Sequence, residues 1–219
     1  MDQKRVQSQH GVTLVGGGDV DVEILEDALK TAPTLVAADG GADHALAHGH
    51  IPEVAIGDLD SISAEARERV GASNIIEAID QNKTDFEKSV ALIDAPLILG
   101  VGFFGGRLDH SLAALSALVQ IGEKPVILVG AQDVVFSAPS EISLEIEVGS
   151  RFSVFPLAEM RAKSQGLEWP LDPHLLSPLG RIGTSNRVSG PVHIIFDRPG
   201  AVLLTPRAGL ETVVKALTG

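Results

Sequence analysis

The sequence contains no cysteine among its 219 residues. This absence excludes disulfide bonds, zinc–thiolate sites and iron–sulfur clusters, and it is consistent with a reducing compartment. Long apolar runs are also missing, because the longest, "APLILGVGFFGG", is shorter than the roughly 20 residues of a membrane helix. The polar start, "MDQKRVQSQH", lacks the apolar segment of a secretory signal. We therefore expect a cytoplasmic protein without a membrane partner.

Basic residues are scarce. The chain has 17 Lys and Arg against 29 Asp and Glu, which gives a net charge of −12. This balance argues against non-specific nucleic-acid binding, since a polyanion would be repelled. A phosphorylated substrate would need local help from a metal ion, an arginine or backbone N–H groups.

The first part of the chain alternates apolar runs with helical patterns. Near-continuous apolar strands between helices favour a mainly parallel sheet with helices on both faces. In such sheets, ligands bind beyond the carboxyl ends of the strands. The predicted strands are 11–18, 34–39, 53–58, 73–79, 95–103 and 124–130, and the predicted helices are 19–32, 41–49, 61–71, 83–93 and 108–122.

After about residue 138 the pattern changes to apolar–polar alternation, as in "EISLEIEVGSRFSVFPL". A period of two is typical of half-buried strands and predicts a smaller, sandwich-like antiparallel β domain. The stretch 166–186 is predicted to form a loop. We therefore expect two domains, an α/β domain at 1–138 and a β-rich domain at 139–219.

Carboxylates follow four successive predicted strands. One aspartate at a strand end is more often a helix cap or turn residue than a ligand, but four independent caps explain the recurrence poorly. Parallel strand ends meet at one edge of a sheet, so these acids are expected to converge, and a divalent cation would offset their repulsion. Carboxylate oxygens without Cys or His suit Mg²⁺. The acids are Asp39, Asp58, Asp60, Asp85 and Asp109.

Glycine-rich stretches accompany these acids. The glycines at 16–18, 40–41 and 105–106 allow backbone N–H groups to approach phosphate oxygens, and Arg107 offers a planar fork for phosphate. The glycines at 16–18 lack the full GxGxxG spacing of a dinucleotide fingerprint, and no GxxxxGK[ST] phosphate loop is present in the sequence. The pattern alone therefore predicts an acidic, metal-dependent phosphate site.

The histidines give a weaker signal. His44, His48 and His50 are interpreted as surface or loop residues. His110, beside Asp109, is a better candidate for the site, and the alternative is that it only caps the following helix.

At these motifs the sequence resembles the thiamin pyrophosphokinase family. The combination of GDLDS, TDFEK and GGRLDH is far more specific than any one of them. The matching segments span most of the chain and are "ADGGAD" (38–43), "PEVAIGDLDSIS" (52–63), "DQNKTDFEKSV" (80–90), "GVGFFGGRLDHSLAAL" (100–115), "GLEWPL" (166–171) and "GTSNRVSG" (183–190).

The resemblance implies an enzyme that transfers a pyrophosphoryl group from ATP to the hydroxyl of thiamin with Mg²⁺, giving thiamin diphosphate and AMP. It also implies an N-terminal α/β domain, a C-terminal β domain and a homodimer with active sites at the subunit interface. An in-line attack of the thiamin hydroxyl on the β-phosphorus is expected. Two alternatives stay open: a metal-dependent phosphohydrolase and a non-catalytic nucleotide-binding sensor.

Carried onto this chain, the resemblance assigns roles to individual residues. The proton acceptor is expected to be Asp58 or Asp109. The chain departs from the family pattern in the thiamin pocket, where Gly183 replaces an expected hydroxyl residue and the segment 172–182 carries two prolines; the alternative for Trp169 is a core anchor. The assignments are Asp39, Asp58, Arg107 and Asp109 for catalysis, Asp58, Asp60 and Asp85 for Mg²⁺, Gly40, Gly41, Thr84, Gly105, Gly106 and Arg107 for ATP, and Trp169, Ser185 and Asn186 for thiamin.

Overall fold

The computed structural model describes residues 5–122 and 124–219. These residues form two compact units, one of residues 5–114 and 128–130 and one of residues 115–122, 124–127 and 131–219. The domain ranges 1–138 and 139–219 stay a prediction.

The first unit alternates strands and helices as predicted. Its strands are β1 (Val6–Gln7), β2 (Val12–Val15), β3 (Thr34–Ala38), β4 (Val54–Gly57), β5 (Ile75–Glu77), β6 (Ile93–Asp94) and β7 (Ile98–Val101). Its helices are α1 (Val22–Thr31), α2 (Gly41–Ala47), α3 (Ala64–Val70) and α4 (Asp85–Leu92), with a 3₁₀ turn at Ala72–Asn74. Helix α5 (Leu108–Ile121) and strand β8 (Val126–Val129) follow.

The strands of the first unit pair in parallel. Strand β2 pairs with β7, and β4 lies between β3 and β5. Val12–Val15 and Ile98–Val101 are buried along their whole length, as expected for strands covered on both faces. The pairing of Ala38 with Ile56 brings the carboxyl ends of β3 and β4 side by side.

The second unit is an antiparallel assembly. Its strands are β9 (Asp133–Ser137), β10 (Glu141–Leu144), β11 (Arg151–Pro156), β12 (Met160–Leu167), β13 (Leu175–Leu176), β14 (Gly183–Phe196) and β15 (Ala201–Pro206). They pair in the order β13–β12–β14–β11–β15–β9, and β10 also pairs with β14. The predicted α/β fold followed by an antiparallel β domain is therefore confirmed.

Some elements differ from the sequence prediction. The stretch 166–186, predicted as a loop, instead contains the end of β12, strand β13 and the start of β14 at Gly183. A bulge interrupts the regular pairing of β14 with β11 there. The chain also ends in an unpredicted 3₁₀ turn, Arg207–Gly209, and helix α6 (Leu210–Thr218). No helix in the described part of the chain has the length and apolar character of a membrane span.

Candidate active site

The turn after β4 presents two acids in a constrained conformation. Between Asp58 and Asp60, Leu59 has a φ of 67°, a left-handed value that is uncommon for a side chain with a Cβ. The guanidinium of Arg67 on α3 donates to the carbonyl oxygen of Leu59 and holds this turn. Such strain is kept where neighbouring structure enforces it, and it is concentrated at functional sites.

Asp39 lies beside this turn and is almost completely buried, with 4% of its surface exposed. It too has a positive φ, 44°, and a Cβ on Gly57 would lie only 2.8 Å from the Cβ of Asp39. Glycine at 57 therefore makes room for this carboxylate. The N–H of Ser61 donates to Asp39 Oδ2 at 3.1 Å, but burial prevails and raises the pKa of Asp39.

Three carboxylates meet at this point. One oxygen from each of Asp39, Asp58 and Asp60 lies within 4.8 Å of the other two. Asp39 Oδ1 and Asp58 Oδ1 are both buried, and neither has a hydrogen-bond partner among the described residues. Buried polar atoms are normally paired, so these two oxygens are suited to a metal ligand role.

Asp85 belongs to a different local arrangement. The ammonium group of Lys88, whose side chain is 4% exposed, donates at 3.0 Å to both Asp58 Oδ2 and Asp85 Oδ1. The hydrogen bond from Lys88 lowers the pKa of Asp58. Burial alone would lower the pKa of Lys88, but the two carboxylates outweigh it and raise that pKa. The predicted ligand Asp85 thus already has a cationic partner.

Thr84 begins helix α4 through a capping box. The N–H of Glu87 donates to Thr84 Oγ1 at 3.3 Å, and Glu87 Oε2 accepts from the N–H of Thr84 at 2.9 Å and from its hydroxyl at 2.8 Å. The local sequence, threonine followed three residues later by glutamate, favours this cap. The structure therefore gives the predicted ATP residue Thr84 a helix-capping role.

Arg107 and Asp109 pair with each other at the start of α5. The guanidinium donates from Nε to Oδ1 at 3.2 Å and from Nη2 to Oδ2 at 2.6 Å. Both side chains are exposed, and the hydrogen bond from Arg107 lowers the pKa of Asp109. A lowered pKa makes both expected proton acceptors, Asp58 and Asp109, weaker bases.

A cavity of about 680 Å³ opens in the first unit. Two aromatic rings, those of Phe86 and Phe103, pack at a centroid distance of 4.7 Å in its wall. Asp19 accepts from the N–H of Gly106 at 3.1 Å and so ties together two glycine-rich loops. Among the predicted residues, Asp39, Gly40, Thr84, Asp85, Gly105, Gly106 and Arg107 line the cavity, as do Gly16, Gly17, Gly18, Asp19, Asp43, His44, Ser61 and His110.

Gly41 is not among the residues that line this cavity. It is buried, and a Cβ there would lie 2.0 Å from the carbonyl oxygen of Val15. The space that a side chain at position 41 would need is therefore occupied by β2. This contact explains why the position is glycine, and no ligand is needed to explain it. His44, expected at the surface, is half-buried on α2 and lines the cavity.

The three residues predicted to bind thiamin lie in the second unit. Trp169 is 49% exposed, so it is not a core anchor. Ser185 is exposed and has a φ of 60° at the bulge in β14, where its N–H donates to Ser153 Oγ at 3.0 Å. Asn186 is buried and hydrogen-bonds the backbone of Trp169.

Sequence reasoning missed Lys88, Arg67 and Asp19. Lys88 stands in the quoted segment TDFEK, but a lysine in a helix is ordinarily exposed and gives no sign of burial. Arg67 and Asp19 act through contacts distant in sequence, so no local pattern indicates them.

Two family models match the chain in domain order. The thiamin pyrophosphokinase catalytic domain matches residues 25–129, and the thiamin pyrophosphokinase vitamin B1 binding domain matches residues 140–200. The chain is similar to thiamine pyrophosphokinase 1 of Oryza sativa subsp. japonica, with 32% identity over 156 residues, 63% of this chain and 59% of the rice protein. The chain therefore spans less than two thirds of that relative.

Two more similarities are informative. The 6-hydroxymethyl-7,8-dihydropterin pyrophosphokinase of Pyrococcus furiosus is 32% identical over 120 residues, 48% of this chain and 50% of that protein. The solved structure of thiamin pyrophosphokinase from Candida albicans has a TM-score of 0.74 at 20% identity and covers 94% of this chain and 93% of that one, which shows a shared fold. With both family models matched across most of its length, the chain belongs to the thiamin pyrophosphokinase family.

Proposed function

We propose that this protein is a thiamin pyrophosphokinase, which transfers the pyrophosphoryl group of ATP to the hydroxyl of thiamin and releases thiamin diphosphate and AMP. The observation that carries the proposal is the joint match to the catalytic and the vitamin B1 binding models of one family. The acidic cluster beside a glycine-lined cavity supports the same reaction class.

ATP is proposed to bind in the cavity of the first unit. Gly105 and Gly106 line it, and Gly40 lines it from the start of α2. Arg107 adds a guanidinium whose present partner, Asp109, is exposed to solvent and can be exchanged for a phosphate. These groups would orient the polyphosphate and stabilise charge on it during transfer.

Mg²⁺ is the proposed metal, and Asp39, Asp58 and Asp60 are the residues that would hold it. The two unpartnered buried oxygens and the close approach of the three carboxylates support this set. Asp85, the predicted third ligand, is proposed to orient the site through Lys88. A bound Mg²⁺ supplies charge neutralisation for transferring phosphates.

The proposed reaction is an in-line displacement. The hydroxyl oxygen of thiamin forms a bond to the β-phosphorus while the bond from that phosphorus to the AMP oxygen breaks. The hydroxyl proton passes to a carboxylate of the cleft, for which Asp58 and Asp109 stay the predicted acceptors.

The division of labour is proposed to follow the two predicted domains. Residues 1–138 would bind ATP and the metal, and residues 139–219 would bind thiamin, with Trp169 stacking on the pyrimidine ring and Ser185 beside it. Family resemblance supports a homodimer with active sites at the subunit interface. The match of 140–200 to the vitamin B1 binding model supports the thiamin assignment.

A second candidate uses the same transfer with a pterin acceptor. It is favoured by the similarity to the Pyrococcus furiosus dihydropterin pyrophosphokinase. The match of the C-terminal residues to a vitamin B1 binding domain favours thiamin over the pterin.

Product analysis separates these functions. The purified protein is incubated with ATP and Mg²⁺, and with thiamin, 6-hydroxymethyl-7,8-dihydropterin or neither. We expect AMP and thiamin diphosphate in equal amounts with thiamin alone. Pterin diphosphate would establish the second candidate, and phosphate release without an acceptor would indicate a phosphohydrolase. Tight ATP binding without turnover would indicate a sensor.

A further inference from the structure

The side-chain amide of Asn186 forms most of its possible hydrogen bonds with other groups of the protein. Its Oδ1 accepts from the N–H of Trp169 at 3.1 Å and from the N–H of Arg187 at 2.8 Å, and its Nδ2 donates to the C=O of Trp169 at 2.6 Å. Three of the four hydrogen-bonding positions of the amide are therefore occupied. With only 6% of its surface exposed, Asn186 has little capacity left for a ligand.

The same contacts fix the backbone of Trp169. Both of its backbone polar groups are bonded to a single side chain on β14, and Pro170, which follows, restricts Trp169 to extended conformations. The flanking backbone is also held, since the N–H of Glu168 donates to Arg187 O at 2.9 Å and the N–H of Leu171 donates to Ser164 Oγ at 2.8 Å.

The side chain of Trp169, in contrast to its hydrogen-bonded backbone, is largely open to solvent. The residue is 49% exposed although its main chain is anchored on both sides. A large apolar surface exposed on a fixed backbone is the arrangement expected of a stacking platform, since ordering it on ligand binding then costs little conformational entropy.

We propose that Asn186 is a positioning residue that holds Trp169 for the acceptor and does not itself contact the acceptor. The identity of that acceptor as thiamin rests on the proposed function. Asn186 would therefore act on the acceptor indirectly, through the backbone of Trp169, and not through the direct contact that the family resemblance suggests.

Intrinsic fluorescence tests the first part without a ligand. Trp169 is the only tryptophan and the chain has no tyrosine, so the emission reports on this one residue. Asn186→Ala should lower the fluorescence anisotropy of Trp169 and increase its quenching by acrylamide. Ser189→Ala, at an exposed position of the same strand, is the matched control and should change neither. An unaltered anisotropy in folded Asn186→Ala would overturn the proposal.

Calorimetric titration with thiamin tests the second part. Asn186→Ala should raise the dissociation constant of thiamin about tenfold, from the loss of buried hydrogen bonds. In a Trp169→Ala background the same change should have almost no further effect, because both substitutions remove one platform. Additive losses would contradict the proposal, since they would mean that Asn186 binds thiamin directly.

Asn186→Asp provides the second variant if the alanine variant does not fold, as judged by circular dichroism. Aspartate keeps the acceptor for the two N–H groups but cannot donate to the C=O of Trp169, so a smaller fall in anisotropy is expected, and no fall would count against the proposal. Reduced anisotropy in these variants together with no thiamin binding to the wild-type protein would refute the proposed function and leave the clamp on Trp169 intact.

Discussion

Lys88 divides the acidic residues of the cleft into two groups. It pairs with Asp58 and Asp85, whereas Asp39 and Asp60 approach Asp58 without a contact to this lysine. The sequence predicts that these acids converge, because strand ends of a parallel sheet meet at one edge. It does not predict which acid has a protein partner, since that depends on a buried lysine contributed by α4.

Lys88→Met tests the structural part of this role. Removing the ammonium group leaves Asp58 and Asp85 without their shared donor, and we expect the free energy of unfolding to fall by about 1–3 kcal/mol. Lys30→Met is the control, because Lys30 forms an exposed ion pair whose loss should lower the stability much less than the loss of Lys88. Equal effects in urea denaturation would contradict a structural role for Lys88.

The ion pair between Lys88 and Asp58 makes the free energy of unfolding depend on pH at both extremes. The pKa of Asp58 is lowered from the ordinary value of 3.8, so its contribution is present above that value and is lost as the pH falls through the lower folded-state pKa. The pKa of Lys88 is raised from 10.5, so its contribution is complete below 10.5 and is lost as the pH rises through the higher folded-state pKa. Stability-versus-pH curves of Lys88→Met should lack both losses, and unchanged curves would show that other groups cause them.

The choice between Asp39 and Asp85 as metal ligand is open to direct measurement. Asp39→Asn and Asp60→Asn should remove the rise in melting temperature that Mg²⁺ produces, whereas Asp85→Asn should keep part of it. The reason is that Asp85 already pairs with Lys88 and is 36% exposed. Asp80→Asn, at an exposed loop position, controls for general charge effects. A complete loss in both Asp85→Asn and Asp60→Asn, with the rise kept in Asp39→Asn, would restore the ligand set expected from the family.

At the level of helices and strands, the N-terminus of α4 combines a cap with a cavity wall. Thr84 and Glu87 form the capping box, but of the two only Thr84 is among the residues lining the cavity. The helix end can therefore be tested separately for stability and for ATP binding.

Thr84→Ala and Glu87→Ala should each lower stability by about 1 kcal/mol through loss of the cap. If Thr84 also contacts ATP, only Thr84→Ala should raise the KM for ATP. Thr84→Ser keeps the hydroxyl and should restore both properties. Identical KM values in the two alanine variants would limit Thr84 to its capping role.

Local patterns predicted most elements of the first unit because each strand is apolar and each helix has an apolar face. Strands β1 and β6 escaped prediction because they are two residues long and pair across 87 positions. Helix α6 could have been predicted from the sequence, because its apolar residues have helical spacing: Leu210, Val213, Val214 and Leu217. The bulge in β14 depends on a left-handed Ser185, which no strand pattern contains.

At the scale of the whole molecule, the negative net charge is consistent with a site that binds phosphate through local groups. A chain with a net charge of −12 cannot attract a polyphosphate by its overall field. Binding must therefore depend on local groups, and the first unit gathers several at one cavity: glycine-rich loops, Arg107 and Asp39, which is one of the three acids of the cluster suited to a cation. The central claim is that these groups serve the transfer of a pyrophosphoryl group by attack at the β-phosphorus of ATP.

Transfer of a label from the β-phosphate of ATP tests that claim most directly. With ATP labelled at the β-phosphorus, Mg²⁺ and thiamin, the account predicts that the label moves completely into thiamin diphosphate while unlabelled AMP is released. Label that stays in ADP, or that appears in free pyrophosphate without thiamin diphosphate, would contradict it.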